Sequence, residues 1–227
     1  MDILLIAGLW LDGSVWTDVA AELDKLGHRP VPITLPGQGD GAPAATLDDQ
    51  VAAVVAAVDA ATGPVLVVGH SAACTLAWLA ADARPARVAG VALVGGFPSA
   101  DGELYADFFD IVDDGMPFPG WGPFEGADAV DLDQDARRAI ASAAVPVPVG
   151  VARGVVRLAD ERRFDVPVVV VCPEFSPDEA RACVDGGDVP ELARAQHVEY
   201  VDIDSGHWPM FTRPAELARI LAERAVA

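Results

Sequence analysis

Lysine is almost absent from this chain: Lys25 stands alone against fourteen arginines in 227 residues. Acidic residues number 35, so the net charge is −20. A surface this acidic disfavours nucleic acid and anionic membranes as partners. It does not bar an anionic small molecule, because a few arginines reverse the field locally. Cysteine is equally scarce. Cys74, Cys172 and Cys183 form no CxxC pair and are odd in number, which speaks against a disulfide framework and against a zinc site. No apolar run reaches membrane-spanning length. The first apolar run, Ile3–Ile6, is short and follows no basic segment, so it reads as a strand and not as a secretion signal. These absences together lead to the expectation of a cytoplasmic protein.

What the chain has in quantity is alanine and valine, within an apolar fraction of 52%. That suits one compact α/β domain with helices packed on a buried sheet. Strands are expected at Ile3–Ile6, Arg29–Ile33, Val65–Val68, Val88–Val94, Val166–Cys172 and Val198–Ile203. Helices are expected between them. Ser14 stands before a face of Trp16, Val19, Leu23 and Leu26. Thr46 and Asp49 have capping-box spacing before Leu47, Val51, Val54 and Val58. The alternation implies a parallel sheet with right-handed crossovers. It breaks between Gly95 and Asp165. Phe97, Tyr105, Phe108, Phe109, Phe118, Trp121 and Phe124 gather there around a Pro/Gly-rich stretch, Met116–Pro123. Helical runs are expected at 103–112, 134–144 and 149–159. The division is therefore a core of 1–96 and 166–227 with an inserted helical cap, 97–165, over the sheet's C-terminal edge.

Chemistry concentrates at strand ends. Gly69-His70-Ser71-Ala72-Ala73 joins a valine-rich strand to a helix through small residues. Such a turn holds the Ser71 hydroxyl above a helix N-terminus, whose free N–H groups favour a developing anion. The bland alternative is a serine that caps the helix. A serine needs a base. Of four histidines, His28 and His197 read as surface residues and His70 as structural. His207, directly after the last strand, shares the sheet edge with Ser71.

These residues resemble the α/β-hydrolase superfamily. Gly69-His70-Ser71-Ala72-Ala73 is similar to its nucleophile elbow. Asp204-Ser205-Gly206-His207-Trp208-Pro209 is similar to its catalytic-histidine loop. Ala7-Gly8-Leu9-Trp10 resembles its oxyanion loop, and Leu35-Pro36-Gly37-Gln38-Gly39 the turn after its second strand. The nearest flavour is the small esterase and hydroxynitrile-lyase-like branch. The resemblance implies a six-stranded sheet in the order 2-1-3-4-5-6 with helices on both faces, and an oxyanion hole from the N–H groups of Leu9 and Ala72. It implies no cofactor and no metal. It departs at the acid, where Ser176 occupies the position expected for aspartate. Glu174, at the strand end, is ranked first in its place, then Asp101, then Asp178.

Three functions follow as expectations. The first is a serine hydrolase for a small uncharged or apolar ester or lactone, with Trp10, Phe97, Trp121, Trp208 and Met210 as pocket wall. Trp78, seven residues beyond Ser71, reads as core. The second uses the same Ser/His pair in a lyase reaction. The third is a non-catalytic small-molecule binder with a degraded acid. Oligomeric state is left open.

Overall fold

The computed structural model describes residues 1–225. Six parallel strands, β1 (Asp2–Ile6), β2 (Arg29–Ile33), β3 (Val65–His70), β4 (Val88–Val94), β5 (Val168–Cys172) and β6 (Val198–Asp202), form one sheet. Its order is β2-β1-β3-β4-β5-β6, as expected. The longer helices are α1 (Thr17–Lys25), α2 (Leu47–Ala60), α3 (Ala73–Ala83), α4 (Gln134–Ala143), α5 (Pro177–Gly186) and α6 (Pro214–Arg224).

Strand periodicity explains the layers. Side chains alternate faces along a strand, so a strand buried on both sides must be apolar throughout. In β1, Leu4 and Ile6 join the core under α2, α3 and α5, while Ile3 and Leu5 join the core under α1 and α6. Val65 and Val67 of β3 divide from Leu66 and Val68 in the same way. β2 lies at the sheet's edge, where Pro30 and Pro32 are tolerated. The sheet order reverses between β1 and β3, so the loops after these two strands open the crevice where α/β sheets bind ligands.

Local expectations mostly survive. Thr46 and Asp49 form a reciprocal capping box at α2. Ser14 does not cap α1. Its own N–H donates to Asp12 Oδ1, and a 3₁₀ turn over Gly13–Trp16 precedes the helix.

The segment 97–165 is less helical than expected. Residues 103–112 form no helix. The N–H groups of Tyr105 and Ala106 donate to the carbonyls of Gly154 and Ala152, both at 2.9 Å. The expected run at 149–159 stops after Ala152, because the next turn lies against α2. A Cβ on Gly154 would stand 2.3 Å from Leu47 Cβ. A short antiparallel pair, Gly115–Met116 with Val147–Pro148, and α4 complete the segment. No described helix is long and apolar enough to cross a membrane.

Candidate active site

Ser71 follows β3 with φ of +55°, a left-handed conformation that costs a non-glycine residue roughly 1–3 kcal/mol. The surrounding backbone holds it there. Its N–H donates to Val94 O at 2.8 Å, and its carbonyl accepts from Cys74 N at 2.9 Å in the first turn of α3. The turn closes only because its neighbours lack side chains. A Cβ on Gly69 would meet Ala73 O at 2.2 Å, one on Gly96 would meet Ser71 O at 2.8 Å, and one on Gly8 would meet Ser71 Cβ at 3.0 Å. The ends of β1, β3 and β4 thus converge on one serine.

His207 lies beyond β6, with 13% of its side chain exposed. Three contacts fix it. Its N–H donates to Asp128 O at 2.7 Å. Its carbonyl accepts from His70 Nε2 at 2.8 Å. Its Nδ1 meets Glu174 Oε1 at 2.5 Å. With Nδ1–H donating to the carboxylate, the lone pair rests on Nε2, the tautomer a general base needs. Gly95 lies against the histidine and Gly96 against the serine. A Cβ on Gly95 would stand 3.2 Å from His207 Nδ1, as one on Gly96 would stand against Ser71.

Of the three carboxylates ranked from sequence, Glu174 is the one that meets His207. It sits just past β5, and its second oxygen, Oε2, is buried without a partner. Ser176 has other work: its side chain accepts from Glu179 N as the N-cap of α5, within a capping box. Asp101, the alternative, is engaged elsewhere and accepts from Leu158 N at 2.8 Å. Asp178 is 94% exposed and pairs with Arg181.

His70 takes the structural role expected of it. Burial, and then the neighbouring His207, lower its pKa from 6.5 to about 3. It stays neutral, donating through Nε2 while Nδ1 lies buried and unpaired. Burial also pushes the Cys74 thiol far up, so it is inert beside the serine.

Leu9 follows Gly8, which lies against Ser71, and Ala72 is the residue after the serine. Ala72 opens α3, where backbone N–H groups have no helical partner. Leu9 precedes Trp10, which has φ of +63°. Trp10 is pinned twice to the inserted segment: its Nε1 donates to Met116 O at 3.1 Å, and its carbonyl accepts from Val145 N at 2.9 Å. Behind the loop, a void of about 20 Å³ touches Gly8, Leu9, Trp10, Gln50 and Tyr105, room for one water or a methyl group.

Aromatic rings run from this loop to the histidine. Trp10 meets Phe118 at 5.4 Å, Phe118 meets Trp121 at 5.3 Å, Trp121 meets Trp208 at 5.3 Å, and Trp208 meets His207 at 4.9 Å. Phe109 and Phe124 pack beside Trp10. Phe109, Phe118 and Phe124 thus join this row, and their clustering around Met116–Pro123 is the sequence signal for it. Phe97 stacks on Phe175, next to Glu174, with ring centroids 5.5 Å apart. Met210 is wholly buried in the core under α1 and α6, where it packs. Trp78 is core too, its Nε1 donating to Glu191 at 2.9 Å. His197 lines a cleft of about 520 Å³ at the opposite, N-terminal edge of the strands, so that cleft is not the site of this chemistry.

A serine on a left-handed strand–helix turn and a carboxylate-bound histidine, on one edge of a parallel sheet at its switch point, define the class of α/β-sheet hydrolases. Residues 3–220 match the model of the alpha/beta hydrolase family, and the chain belongs to that family. No curated protein matches it in sequence. Solved structures share the fold. One is an extracellular α/β-hydrolase from a Paenibacillus species, which shares structural and functional homology with tobacco salicylic acid binding protein 2. It is 17% identical with a TM-score of 0.78, over 99% of this chain and 98% of that one. The Arabidopsis methylesterase MES16 is 14% identical with a TM-score of 0.76, over 98% of each chain. A pyrethroid hydrolase from Sphingobium faniae is 19% identical with a TM-score of 0.67, over 98% of this chain and 96% of that one.

Proposed function

We propose that this protein is a serine hydrolase that cleaves a small, uncharged or apolar ester or lactone through an acyl-enzyme. The observation that carries the reading is the 2.5 Å contact from His207 Nδ1 to Glu174, on the edge where Ser71 is held in a left-handed turn. Ser71 Oγ adds to the carbonyl carbon as its proton passes to His207 Nε2. Glu174 stabilises the imidazolium. The N–H groups of Leu9 and Ala72 receive the oxyanion. Collapse returns the proton to the leaving alkoxide and leaves an acyl-Ser71. Water, activated by the same histidine, then releases the acid and restores the serine.

The aromatic row supports an apolar substrate. Segment 97–165 acts as the cap, because it supplies Phe118 and Trp121 to that row. Methylesterase and pyrethroid hydrolase activities of structural neighbours agree with ester chemistry. The non-catalytic alternative rested on a missing acid, and Glu174 argues for the catalytic reading instead. A cytoplasmic location accords with three free cysteines.

A fluorophosphonate probe is expected to label the wild type and not Ser71→Ala. Absence of labelling in the wild type refutes the reading. On short-chain nitrophenyl esters, Glu174→Gln is expected to lower kcat on the order of 10²- to 10⁴-fold, through loss of the imidazolium's counter-charge. A full rate would remove Glu174 from the triad.

A further inference from the structure

Beneath the His207 loop, residues 128–132 of the inserted segment pass as a strap that the proposed triad does not explain. Asp128 O accepts from His207 N at 2.7 Å. A Cβ on Gly206 would stand 2.3 Å from Asp128 O and 2.6 Å from Asp131 Oδ1, so strap and loop touch where glycine alone fits. The strap is itself anchored. Ala129 and Leu132 are buried in the core beside Trp208. From α4, Arg137 donates to Leu132 O at 3.0 Å and Ala129 O at 2.6 Å.

At the centre lies the Asp131 carboxylate. Both its oxygens are buried, and neither makes a well-formed hydrogen bond. Burial alone would raise its pKa. The Thr212 hydroxyl and the N–H groups of Gly206 and of Asp131 itself, facing it at longer reach, hold it below the ordinary value instead. Ser205 Oγ in turn donates to Gly206 O at 2.7 Å and lies 3.1 Å from Thr212 Oγ1. A charged carboxylate is thus taken out of water for imperfect partners, which disfavours the folded state. Its donors from outside the strap, Gly206 and Thr212, flank His207 in the chain.

Resting on the hydrolase reading, the geometry points to Asp131 as a positioning residue for His207. It draws the Ser205–Gly206 backbone and Thr212 onto the strap, while Asp128 O holds the next N–H. The imidazole is then aimed by Glu174 from the β5 side and by the strap from the inserted segment. Asp131 does not touch the reacting atoms. It acts by removing freedom from the loop, and the inserted segment becomes part of the base's support even for substrates too small to need a cap.

The test compares wild type, Asp131→Ala, Asp131→Asn and Thr212→Val, with nitrophenyl acetate as substrate, a fluorophosphonate as a substrate-independent probe, and thermal melting. Asp131→Ala is expected to lower kcat and the labelling rate about 10- to 100-fold, the scale of a misaimed catalytic group. KM is expected to hold, and the melting temperature to move by no more than a few degrees. Asp131→Asn keeps one acceptor oxygen and is expected to recover part of kcat. Thr212→Val is expected to lose kcat in the same direction. Wild-type kcat in Asp131→Ala overturns the assignment. So does a fall in kcat matched by a fall in melting temperature with no recovery in Asp131→Asn. Should Asp131→Ala not fold, Thr212→Val decides: wild-type kcat there overturns it. A wild type that the probe does not label defeats the hydrolase reading and this inference together, whereas a labelled wild type with an indifferent Asp131 defeats this inference alone.

Discussion

His70 makes a sharp prediction about pH. It is fully buried with a pKa lowered from 6.5 to about 3, first by desolvation and then by His207. The unfolded chain binds a proton at this residue as pH falls through 6.5, and the folded chain does not until near pH 3. The unfolded state therefore binds more protons across that window, and stability falls as pH falls. Between pH 7.5 and pH 5.0 the linkage costs about 2 kcal/mol. In His70→Gln, the amide Nε2 can still donate to His207 O at the site of the present 2.8 Å bond, and nothing at position 70 titrates. Urea unfolding of both proteins at the two pH values gives the difference of differences, which cancels the carboxylates and other histidines. Wild type is expected to lose about 2 kcal/mol more than His70→Gln over this interval. Equal losses would refute a neutral, buried His70, and with it the account of what holds the His207 carbonyl.

Two further substitutions test the frame of the site. Gly69→Ala places a methyl group 2.2 Å from Ala73 O, where backbone must move. It is expected to cost more than about 3 kcal/mol of stability or to abolish folding, as followed by soluble yield and circular dichroism. Arg163 is buried between Asp82 and Glu191 at 3.2 and 2.9 Å. Arg163→Ala leaves two buried carboxylates uncompensated and is expected to destabilise by about 3–5 kcal/mol in denaturant titration. A loss under 1 kcal/mol there would show that water reaches the pair.

The sheet was legible because each central strand must satisfy two cores at once. Val65–Val68 and Val168–Val171 have no polar residue to hide, and that pattern has one solution in a parallel sheet. Ser71 and His207 were legible because each stands where such a strand ends. The carboxylate beside His207 was harder. Ser176 caps α5, and sequence order does not show that Glu174, two residues earlier, meets His207 Nδ1. Residues 103–112 misled for a different reason. Their backbone partners lie near 152–156, and local periodicity carries no information about a pairing some fifty residues away. The strap at 128–132 was invisible for the same cause. Its partners, Ser205, Gly206 and Thr212, come from the far end of the chain.

The glycines around Ser71 and His207 bear on how this protein tolerates change. Gly8, Gly69, Gly96 and Gly206 do no chemistry, yet a single carbon at any of them falls 3.0 Å or less from a neighbouring atom. In a map of every substitution against activity, these four positions should be as dark as the proposed triad. The site is outlined by atoms the chain omits. A library meant to change its specificity should hold these glycines fixed and vary the aromatic row instead.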